Sequence, residues 1–363
     1  MAKEKTGFKP APADARRFAE ALLGWNRDAN DRQMPWKGET DPYRIWLSEV
    51  ILQQTRVEVG RAYYERFLAA FPTVQQLAAA PEQAVFKLWE GLGYYSRCRN
   101  LIAAARSIVS DHGGRFPSDY PSILALKGVG PYTAAAIASF AFNLPHAVLD
   151  GNVYRVLSRI FAIDTAIDST EGRKGFATLA QALLPTSEAG TYNQAIMDFG
   201  ATICKPVPAC DACFFNRHCA AFLAGRQTLL PVKGEKAPVR VRWFHYIILQ
   251  AGNRVAIRQR TSRDIWQSLY EPLLLEAPKT LSKTTLLQHI GAEYGLTIDP
   301  SGVLSSTASR TQKLSHQLIH FSFLHALLDE PHPIAGFEWV STEELTQYPF
   351  PRTLQDFLGK NLV

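Results

Sequence analysis

The sequence predicts two domains, an all-α domain followed by a smaller α+β domain. Its 363 residues exceed what a single hydrophobic core usually serves. Apolar residues recur at helical spacing through the first two-thirds of the chain, whereas short alternating runs follow from Trp243. We therefore expect one domain over residues 10–224, a linker over 225–243 and a second domain over 244–363.

The helices of the first domain follow from periodicity and from end signals. Phe18, Leu22 and Trp25 recur at helical spacing after Pro12. The triplet Asp41-Pro42-Tyr43 offers an N-cap and a proline at the first helical position, so the helix that carries Glu49 begins at a defined place. Further helices are predicted at about 60–70, 82–90, 97–111, 121–126, 132–142, 152–161, 172–184 and 191–203.

The linker and the second domain differ in composition. "GRQTLLPVKGEKAPVRVRW" holds two prolines, two glycines and five basic residues against one acidic residue, as expected of an exposed basic linker. After it, "FHYIILQ", "RVAIRQR" and "HFSFLHALL" predict strands, and one helical pattern lies near Lys283 to Tyr294. This mixture predicts the smaller α+β domain.

Charge and composition limit the classes of function. With 47% hydrophobic and 20% charged residues the chain is typical of soluble globular proteins. Its net charge of +6 favours a polyanionic partner such as nucleic acid, although the same excess is often only a solubilising surface. The first twelve residues lack the apolar core of a signal peptide, and no segment approaches the roughly 20 apolar residues of a membrane span. We expect a cytoplasmic protein that does not enter a membrane.

Four of the five cysteines form one cluster. Cys204, Cys210, Cys213 and Cys219 are spaced C-x5-C-x2-C-x5-C. Four thiolates in so short a loop can surround one metal centre, and both zinc and a [4Fe-4S] cluster accept four cysteines. Cys98 stands apart and is most simply a small packed residue.

Two other stretches carry possible chemistry. In "WLSEVILQQT", Glu49 lies among apolar residues, a setting that raises a carboxyl pKa. In "LKGVGPYTAAAIASF", Gly128 and Gly130 form a tight turn before a helix opened by Pro131, which can present backbone N–H groups to one phosphate. The glycine pattern is weak by itself, because it also closes ordinary helix hairpins.

Together, these motifs resemble a known family. "SEVILQQT", "GLGYYSRCRN", "LKGVGPYT", "LDGNVYRV" and the four-cysteine loop, in this order, resemble the helix-hairpin-helix DNA glycosylases, specifically the MutY-type adenine DNA glycosylases. The likeness covers about residues 14–224 and implies a helical barrel over about 36–144 and a cluster subdomain over 10–35 and 145–224. It also implies a [4Fe-4S] cluster, although the first cysteine gap is five residues where the family usually has six. The second domain looks like that family's Nudix-like recognition domain.

The resemblance implies a reaction and the residues that perform it. The family removes adenine mispaired with 8-oxoguanine or guanine in double-stranded DNA. Glu49 would protonate the flipped adenine and then activate water, and Asp150 would stabilise the positive sugar with Asn152 as a helper. Asp150 is also a good N-cap, and the two roles are compatible. Tyr132 stands where bifunctional relatives carry a Schiff-base lysine, so we expect a monofunctional enzyme. We also expect the protein to be a monomer and to act near the nucleoid.

The remaining site residues come from the same resemblance. The family reads the opposite base with positions that are here Gln54, Thr55, Leu92 and Tyr94, although Tyr94 alone would more often be core. Ser315 and His316 resemble a loop that senses 8-oxoguanine, with Leu314 in place of phenylalanine; they could also be an edge of a strand without function. The adenine pocket would include Arg32, Met34, Trp36 and Gln194, of which Trp36 can also simply pack.

Two other functions fit parts of this pattern. An endonuclease III-like glycosylase and lyase would share the hairpin and the cysteines, but Tyr132 and the second domain argue against it. A non-catalytic iron–sulfur protein could bind DNA through the same hairpin, but it would gain little from Glu49 and Asp150 near phosphates. A Nudix hydrolase is disfavoured because "LLQHIGAEYG" offers only Glu293 for binding metal ions.

Overall fold

The computed structural model describes residues 10–235 and 238–362. Two compact units are present. The first, the helical unit, contains the described residues up to Ala79 and Asn100–Glu235, and the second, the sheet unit, contains Ala80–Arg99 and the described residues from 238 onward. The sheet unit thus takes in a segment that the sequence assigns to the first domain.

The first two-thirds of the described chain are helical, as predicted. The predicted helices are confirmed to within three residues at each end. Short helices at 74–79 and 220–223 were not predicted, because one turn or so of chain gives too little periodicity. The helices are α1 Pro12–Asp28, α2 Pro42–Leu52, α3 Val57–Ala70, α4 Val74–Ala79, α5 Glu82–Trp89, α6 Ser96–Asp111, α7 Tyr120–Ala125, α8 Pro131–Phe142, α9 Gly151–Ile160, α10 Thr170–Leu183, α11 Ala189–Thr202 and α12 Ala220–Leu223.

Helix α2 begins where the sequence places it. The Asp41 side chain accepts a hydrogen bond from the Tyr43 backbone N–H at 2.9 Å, and Pro42 opens the helix. Nearly every residue from Tyr43 to Ile51 is buried. Helix α8 packs against α2, and its run of alanines lets the two helices approach closely. This packing fixes Glu49 inside the helical unit.

The sheet unit is α+β, as predicted. Its sheet has seven strands in the order β3-β2-β1-β6-β5, with β4 beside β1 and β7 beside β2. Strands β1 and β6 are parallel, and the other pairs are antiparallel. The elements are β1 Arg240–Ala251, β2 Arg254–Gln259, β3 Tyr270–Glu271, β4 Leu273–Ala277, α13 Lys283–Tyr294, β5 Val303–Lys313, β6 Gln317–Leu328, β7 Glu338–Ser341 and α14 Arg352–Asn361.

Strand β1 starts inside the predicted linker. Arg242 points inward and is 5% exposed, whereas Val241 is 54% exposed, so the usual apolar-in pattern is reversed. The Arg242 guanidinium donates to both carboxylate oxygens of Asp264 and of Glu276, at 2.6–2.9 Å. These ion pairs compensate for its burial. In residues 10–235 and 238–362, no helix is long and apolar enough to cross a membrane.

Candidate active site

A cavity of about 850 Å³ opens in the helical unit, a size that suits a small-molecule or base-sized ligand. Its walls come from α2, α8, α9, α11 and the loop after α1. The structure brings together there ten of the residues singled out from the sequence: Arg32, Met34, Trp36, Glu49, Gln54, Thr55, Tyr132, Asp150, Asn152 and Gln194.

Glu49 is the buried acid of this cavity. Its side chain is 7% exposed. Burial raises the pKa of Glu49 to about 7, a hydrogen bond from Tyr132 opposes the rise, and the nearby charge of Asp150 adds to it. Burial also raises the pKa of Tyr132 well above its usual range, so its hydroxyl remains a donor. Glu49 can therefore hold a proton near neutral pH.

Asp150 is the second carboxylate, and it caps α9. Its Oδ1 accepts from the Val153 backbone N–H at 2.7 Å, and its Oδ2 accepts from Asn152 Nδ2 at 2.7 Å. Burial raises the pKa of Asp150, while these two donors and the charge of Arg155 oppose the rise. One carboxylate is thus surrounded by donors, whereas Glu49 has a mainly apolar setting. Such a pair can work as an ionised group and an acid.

A chain of hydrogen bonds holds Asp150 from behind. Asn152 Oδ1 accepts from Arg155 Nη2 at 2.8 Å. Arg155 also donates to the backbone oxygens of Gly200 at 2.7 Å and Cys204 at 2.8 Å. A Cβ at Gly200 would lie 2.7 Å from Asn152 Cβ, so only glycine allows this approach of α11 to α9. Asn152 is fixed at both ends of its amide.

A buried aspartate that the sequence analysis missed lies behind two of the residues that line the cavity, Arg32 and Gln194. Asp198 is fully buried, and its Oδ1 accepts from Arg32 Nη1 at 2.7 Å and from Gln194 Nε2 at 3.0 Å. Its Oδ2 accepts from Asn30 Nδ2 at 2.9 Å and lies 3.5 Å from Lys37 Nζ. Asp198 in the apolar run "IMDFG" gives the same kind of signal as Glu49. It orients two of the predicted pocket residues.

The other residues predicted for the pocket lie on its wall. Trp36 and Met34 are half-buried, and the Trp36 ring packs edge-on against Tyr64 with 5.5 Å between ring centres. Trp36 therefore both packs and faces the cavity. Exposed Gln54, after α2, has a left-handed φ of 56°, and half-buried Thr55 follows it. A non-glycine residue in this region carries backbone strain, which collects at functional sites.

The predicted hairpin lies between α7 and α8. Gly128 has a φ of +78°, and a Cβ there would lie 2.5 Å from Asn100 Cβ. Both the backbone conformation and the lack of space therefore require glycine at this position. Gly130 is the N-cap of α8, and its own position leaves open space around it. Pro131 opens the helix and Tyr132 follows in its first turn. The hairpin thus places a helix N-terminus next to the residue that contacts Glu49.

Four predicted residues lie in the sheet unit. Leu92 is buried, whereas Tyr94 is 44% exposed and has a left-handed φ of 47°. The Tyr94 hydroxyl and the Ser315 hydroxyl are 2.5 Å apart. Ser315 and His316 are exposed in the turn between β5 and β6. The structure therefore pairs the tyrosine predicted to read the opposite base with one of the two residues predicted to sense 8-oxoguanine.

The four cysteines line one small cavity of about 20 Å³ between α9, α11 and the loop that follows α11. Cys204 and Cys219 are buried, and Cys210 and Cys213 are half-buried. Burial and the neighbouring thiols raise the pKa of Cys213 to about 11 and also raise those of Cys210 and Cys219. In the described part of the chain, no three His, Cys, Asp or Glu side chains form a ready metal site. The donor set itself, four sulfurs on one cavity, suits a thiolate-bound centre.

Comparisons with known proteins agree with this layout. Residues 47–181 match the HhH-GPD superfamily of base excision DNA repair proteins, and residues 245–360 match the NUDIX domain family. Among solved structures, a thermostable thymine-DNA glycosylase is 29% identical with a TM-score of 0.54, covering 58% of this chain and 98% of its own. A trapped endonuclease III–DNA covalent intermediate is 19% identical with a TM-score of 0.52, covering 60% of this chain and 99% of its own, which shows a shared fold.

Relatives found by sequence point to one family within this superfamily. An adenine DNA glycosylase of Buchnera aphidicola subsp. Baizongia pistaciae is 35% identical over 257 residues, which are 70% of this chain and 72% of the relative. The adenine DNA glycosylase of Homo sapiens is 41% identical over 219 residues, 58% of this chain and 40% of the human protein. The chain belongs to the adenine DNA glycosylase family of helix-hairpin-helix base excision repair proteins.

Proposed function

We propose that this protein hydrolyses the N-glycosidic bond of adenine opposite 8-oxoguanine or guanine in double-stranded DNA. The observation that carries the proposal is Glu49, a carboxyl group whose pKa is raised to about 7 on the wall of a base-sized cavity. The names of the relatives support adenine as the base. The reaction would start base excision repair by leaving an abasic site.

The first step needs an acid. A base inside a duplex must be flipped out of the stack before it reaches a buried cavity. Adenine is a poor leaving group as an anion, so Glu49 donates its proton to a ring nitrogen of the base. The bond between the sugar C1′ and the base then breaks, and its electron pair leaves with neutral adenine. The sugar is left positive and Glu49 becomes a carboxylate.

The second step needs a negative charge and water. Asp150, whose carboxylate oxygens accept from Asn152 and from the Val153 backbone N–H, would stabilise the positive sugar in its ionised form. A water molecule adds to C1′, and the Glu49 carboxylate accepts the proton that the water loses. Glu49 is then an acid again, and the products are adenine and an abasic site.

The pocket's amide accounts for the choice of adenine. Gln194 lines the cavity and donates its Nε2 to Asp198, so its Oε1 would accept a hydrogen bond from the base. Adenine carries an amino donor at C6, whereas guanine carries a carbonyl oxygen there. A fixed acceptor would favour adenine, which donates to it. With guanine, the C6 carbonyl oxygen would face the Gln194 oxygen without a hydrogen bond. Arg32, Met34 and Trp36 would complete the contacts to the base.

The enzyme should be monofunctional. A lyase needs an amine that forms a Schiff base with the sugar, whereas the hairpin residue that hydrogen-bonds Glu49 is Tyr132, which carries a hydroxyl group. Lys127 is exposed on the other arm of the turn. Borohydride should therefore trap little protein on DNA, and efficient trapping would contradict this assignment.

Several of the predicted residues would contact the DNA around the flipped adenine. Gln54 and Thr55 lie on the cavity of the helical unit, and exposed Tyr94 can stack where the flipped nucleotide leaves a gap. Gly128 and Gly130 would present N–H groups to one phosphate. Ser315 and His316 would sense 8-oxoguanine by hydrogen bonds. Leu92 is buried, so it would act by supporting the Gly93–Tyr94 turn more than by broad contact.

We also propose a [4Fe-4S] cluster on Cys204, Cys210, Cys213 and Cys219. Their shared cavity supports one common centre for the four thiolates, and the family supports a [4Fe-4S] cluster over a zinc ion as that centre. When bound, the cluster would fix the loop after α11 and add positive ions that hold the thiols as thiolates. Iron and sulfide analysis of the purified protein would test it, with about four iron atoms per chain expected.

The proposed reaction is tested by single-turnover cleavage of duplexes with adenine opposite 8-oxoguanine, guanine or thymine. Strand breaks at adenine that need alkali, and that form fastest opposite 8-oxoguanine, are the expected result. Breaks without alkali would indicate a lyase. Tight binding with no breaks in any duplex would indicate a non-catalytic DNA-binding protein and overturn the proposal.

A further inference from the structure

Arg159, on α9, is a buried cation with an unusual set of partners. Its residue is 2% exposed. The guanidinium donates to the backbone oxygens of Lys205 at 2.6 Å, Pro206 at 2.9 Å and Leu230 at 3.1 Å. Its Nη1 also lies 3.5 Å from Cys204 Sγ. A single side chain thus ties the cysteine loop to the segment that follows α12.

The partners of Arg159 are dipoles and a sulfur, not carboxylates. Two other buried arginines do form ion pairs: Arg242 pairs with Asp264 and Glu276, and Arg260 pairs with Asp264 and Glu271. Within residues 10–235 and 238–362, no carboxylate oxygen lies within 4.0 Å of the Arg159 guanidinium nitrogens. Arginine stays protonated in proteins, and a buried charge without an opposite charge is costly. The carbonyl oxygens offset only part of that cost.

The anion that would complete the site is on the same cavity. Arg159 and the four cysteines all line it. Cys219 Sγ lies 3.4 Å from the Arg159 backbone oxygen, so both ends of this residue touch a cysteine. Gln227 lines the cavity too, and its buried Oε1 has no hydrogen-bond partner. Turning that amide would offer an N–H donor to the cavity instead.

We propose that Arg159 is the counter-ion of the four-cysteine centre, and that its guanidinium sets the stability and the reduction potential of the bound cluster. Four thiolates on a doubly positive [4Fe-4S] core leave the centre with a charge of minus two. A cation at Cys204 stabilises that charge, and it stabilises the reduced state further because one more electron is added. The inference rests on the cluster proposed above.

The test compares three variants with the wild-type protein. Arg159→Gln removes the charge, Arg159→Lys keeps the charge but loses the planar fork, and Arg226→Gln is the control. Arg226 lies in the same helical unit as Arg159 and pairs with the exposed Asp164. The measurements are iron and sulfide per chain, the visible absorbance during exposure to a chelator, and the reduction potential by voltammetry. Far-UV circular dichroism verifies that each variant is folded.

The charge of the side chain that replaces Arg159 determines the expected reduction potential and rate of iron loss of each variant. Arg159→Gln should have a more negative reduction potential and should lose iron at least several-fold faster than the wild type. Arg159→Lys should keep a potential near that of the wild type, even if it holds less iron, and Arg226→Gln should match the wild type in both readouts.

Two results would overturn the inference, and they are distinguishable. If the wild type binds the cluster and Arg159→Gln shows the same potential and iron loss, the counter-ion role is wrong while the cluster stands. If Arg159→Lys shifts the potential as far as Arg159→Gln, the effect comes from the lost fork and not from charge. A wild-type protein without iron would remove the proposed cluster and this inference together.

Discussion

The two cavities of the helical unit bury opposite charges. The larger one holds Glu49 and Asp150, two carboxylates of which one has a pKa raised to about 7. The smaller one holds Arg159 and four cysteines. In the larger cavity, burial lets a carboxyl group hold a proton near neutral pH. In the smaller cavity, burial leaves a permanent cation, which is costly unless an anion binds beside it. Helix α9 contributes to both, since its N-cap is Asp150 and its last turn carries Arg159.

The largest expected effect in the first cavity comes from its acid. Glu49→Gln keeps the size and hydrogen bonding of the side chain but removes the transferable proton. We expect the single-turnover rate of adenine release to fall at least about 100-fold, as for loss of a general acid. Duplex binding, measured by gel shift, should change little.

The matched control is Glu58→Gln, which alters an exposed glutamate in the first turn of α3. It should keep the wild-type rate. A near-normal rate in Glu49→Gln would remove this residue from the mechanism.

Asp150→Asn tests the carboxylate that should remain ionised. Asparagine is as good an N-cap as aspartate, so α9 and the melting temperature should be preserved. Loss of the negative charge beside the sugar should slow base release by about 100-fold or more. Single-turnover kinetics together with thermal melting separate charge from folding, and a loss explained by unfolding alone would contradict the catalytic role.

Asp198→Asn should have a smaller effect on adenine recognition. The change leaves Arg32 without its carboxylate and frees Gln194 to turn its amide. We expect roughly a tenfold lower kcat/KM for adenine release, the equivalent of about 1.4 kcal/mol. Steady-state kinetics with Asp14→Asn, an exposed position of α1, as control would measure it. An unchanged kcat/KM would mean that the buried carboxylate serves packing only.

Ser315→Ala should have the smallest effect, on selectivity. Removing one hydroxyl hydrogen bond costs about 1 kcal/mol, so the ratio of rates opposite 8-oxoguanine and opposite guanine should fall about fivefold. Parallel single-turnover assays on the two duplexes give this ratio, with Ser110→Ala on the exposed face of α6 as control. An unchanged ratio would assign lesion sensing to other residues.

The fold could be predicted where local signals are strong. Helices α2 and α13 lie where the sequence places them, because Asp41-Pro42 and Gly295 mark clear ends. Strand β5 was missed because "VLSSTASRTQK" has few apolar residues, and it forms through pairing with β6. The sequence assigns the start of β1 to the linker, because the ion pairs that bury Arg242 form only in the tertiary fold.

The candidate site could be predicted for those residues that belong to the motifs quoted from the sequence. Ten chosen residues meet on one cavity, although sequence alone could not show their distances. Asp198 and Arg159 were missed because each belongs to a helix whose polar partners are remote in sequence. Asp198 lies 166 positions from Arg32, and Arg159 lies 46 and 71 positions from Lys205 and Leu230. Only the tertiary structure shows that each of these two charged side chains is buried and which partners it contacts.

The pH dependence of the single-turnover rate on adenine opposite 8-oxoguanine tests the central claim most directly. Glu49 acts as an acid, so the active form is the protonated one, which is lost as the pH rises through its pKa of about 7. The rate should be high below that value and fall about tenfold per pH unit above it, and this step should be absent from the residual activity of Glu49→Gln. A rate that stays level from about pH 5 to pH 9 would contradict the claim that burial keeps this carboxyl group protonated for catalysis.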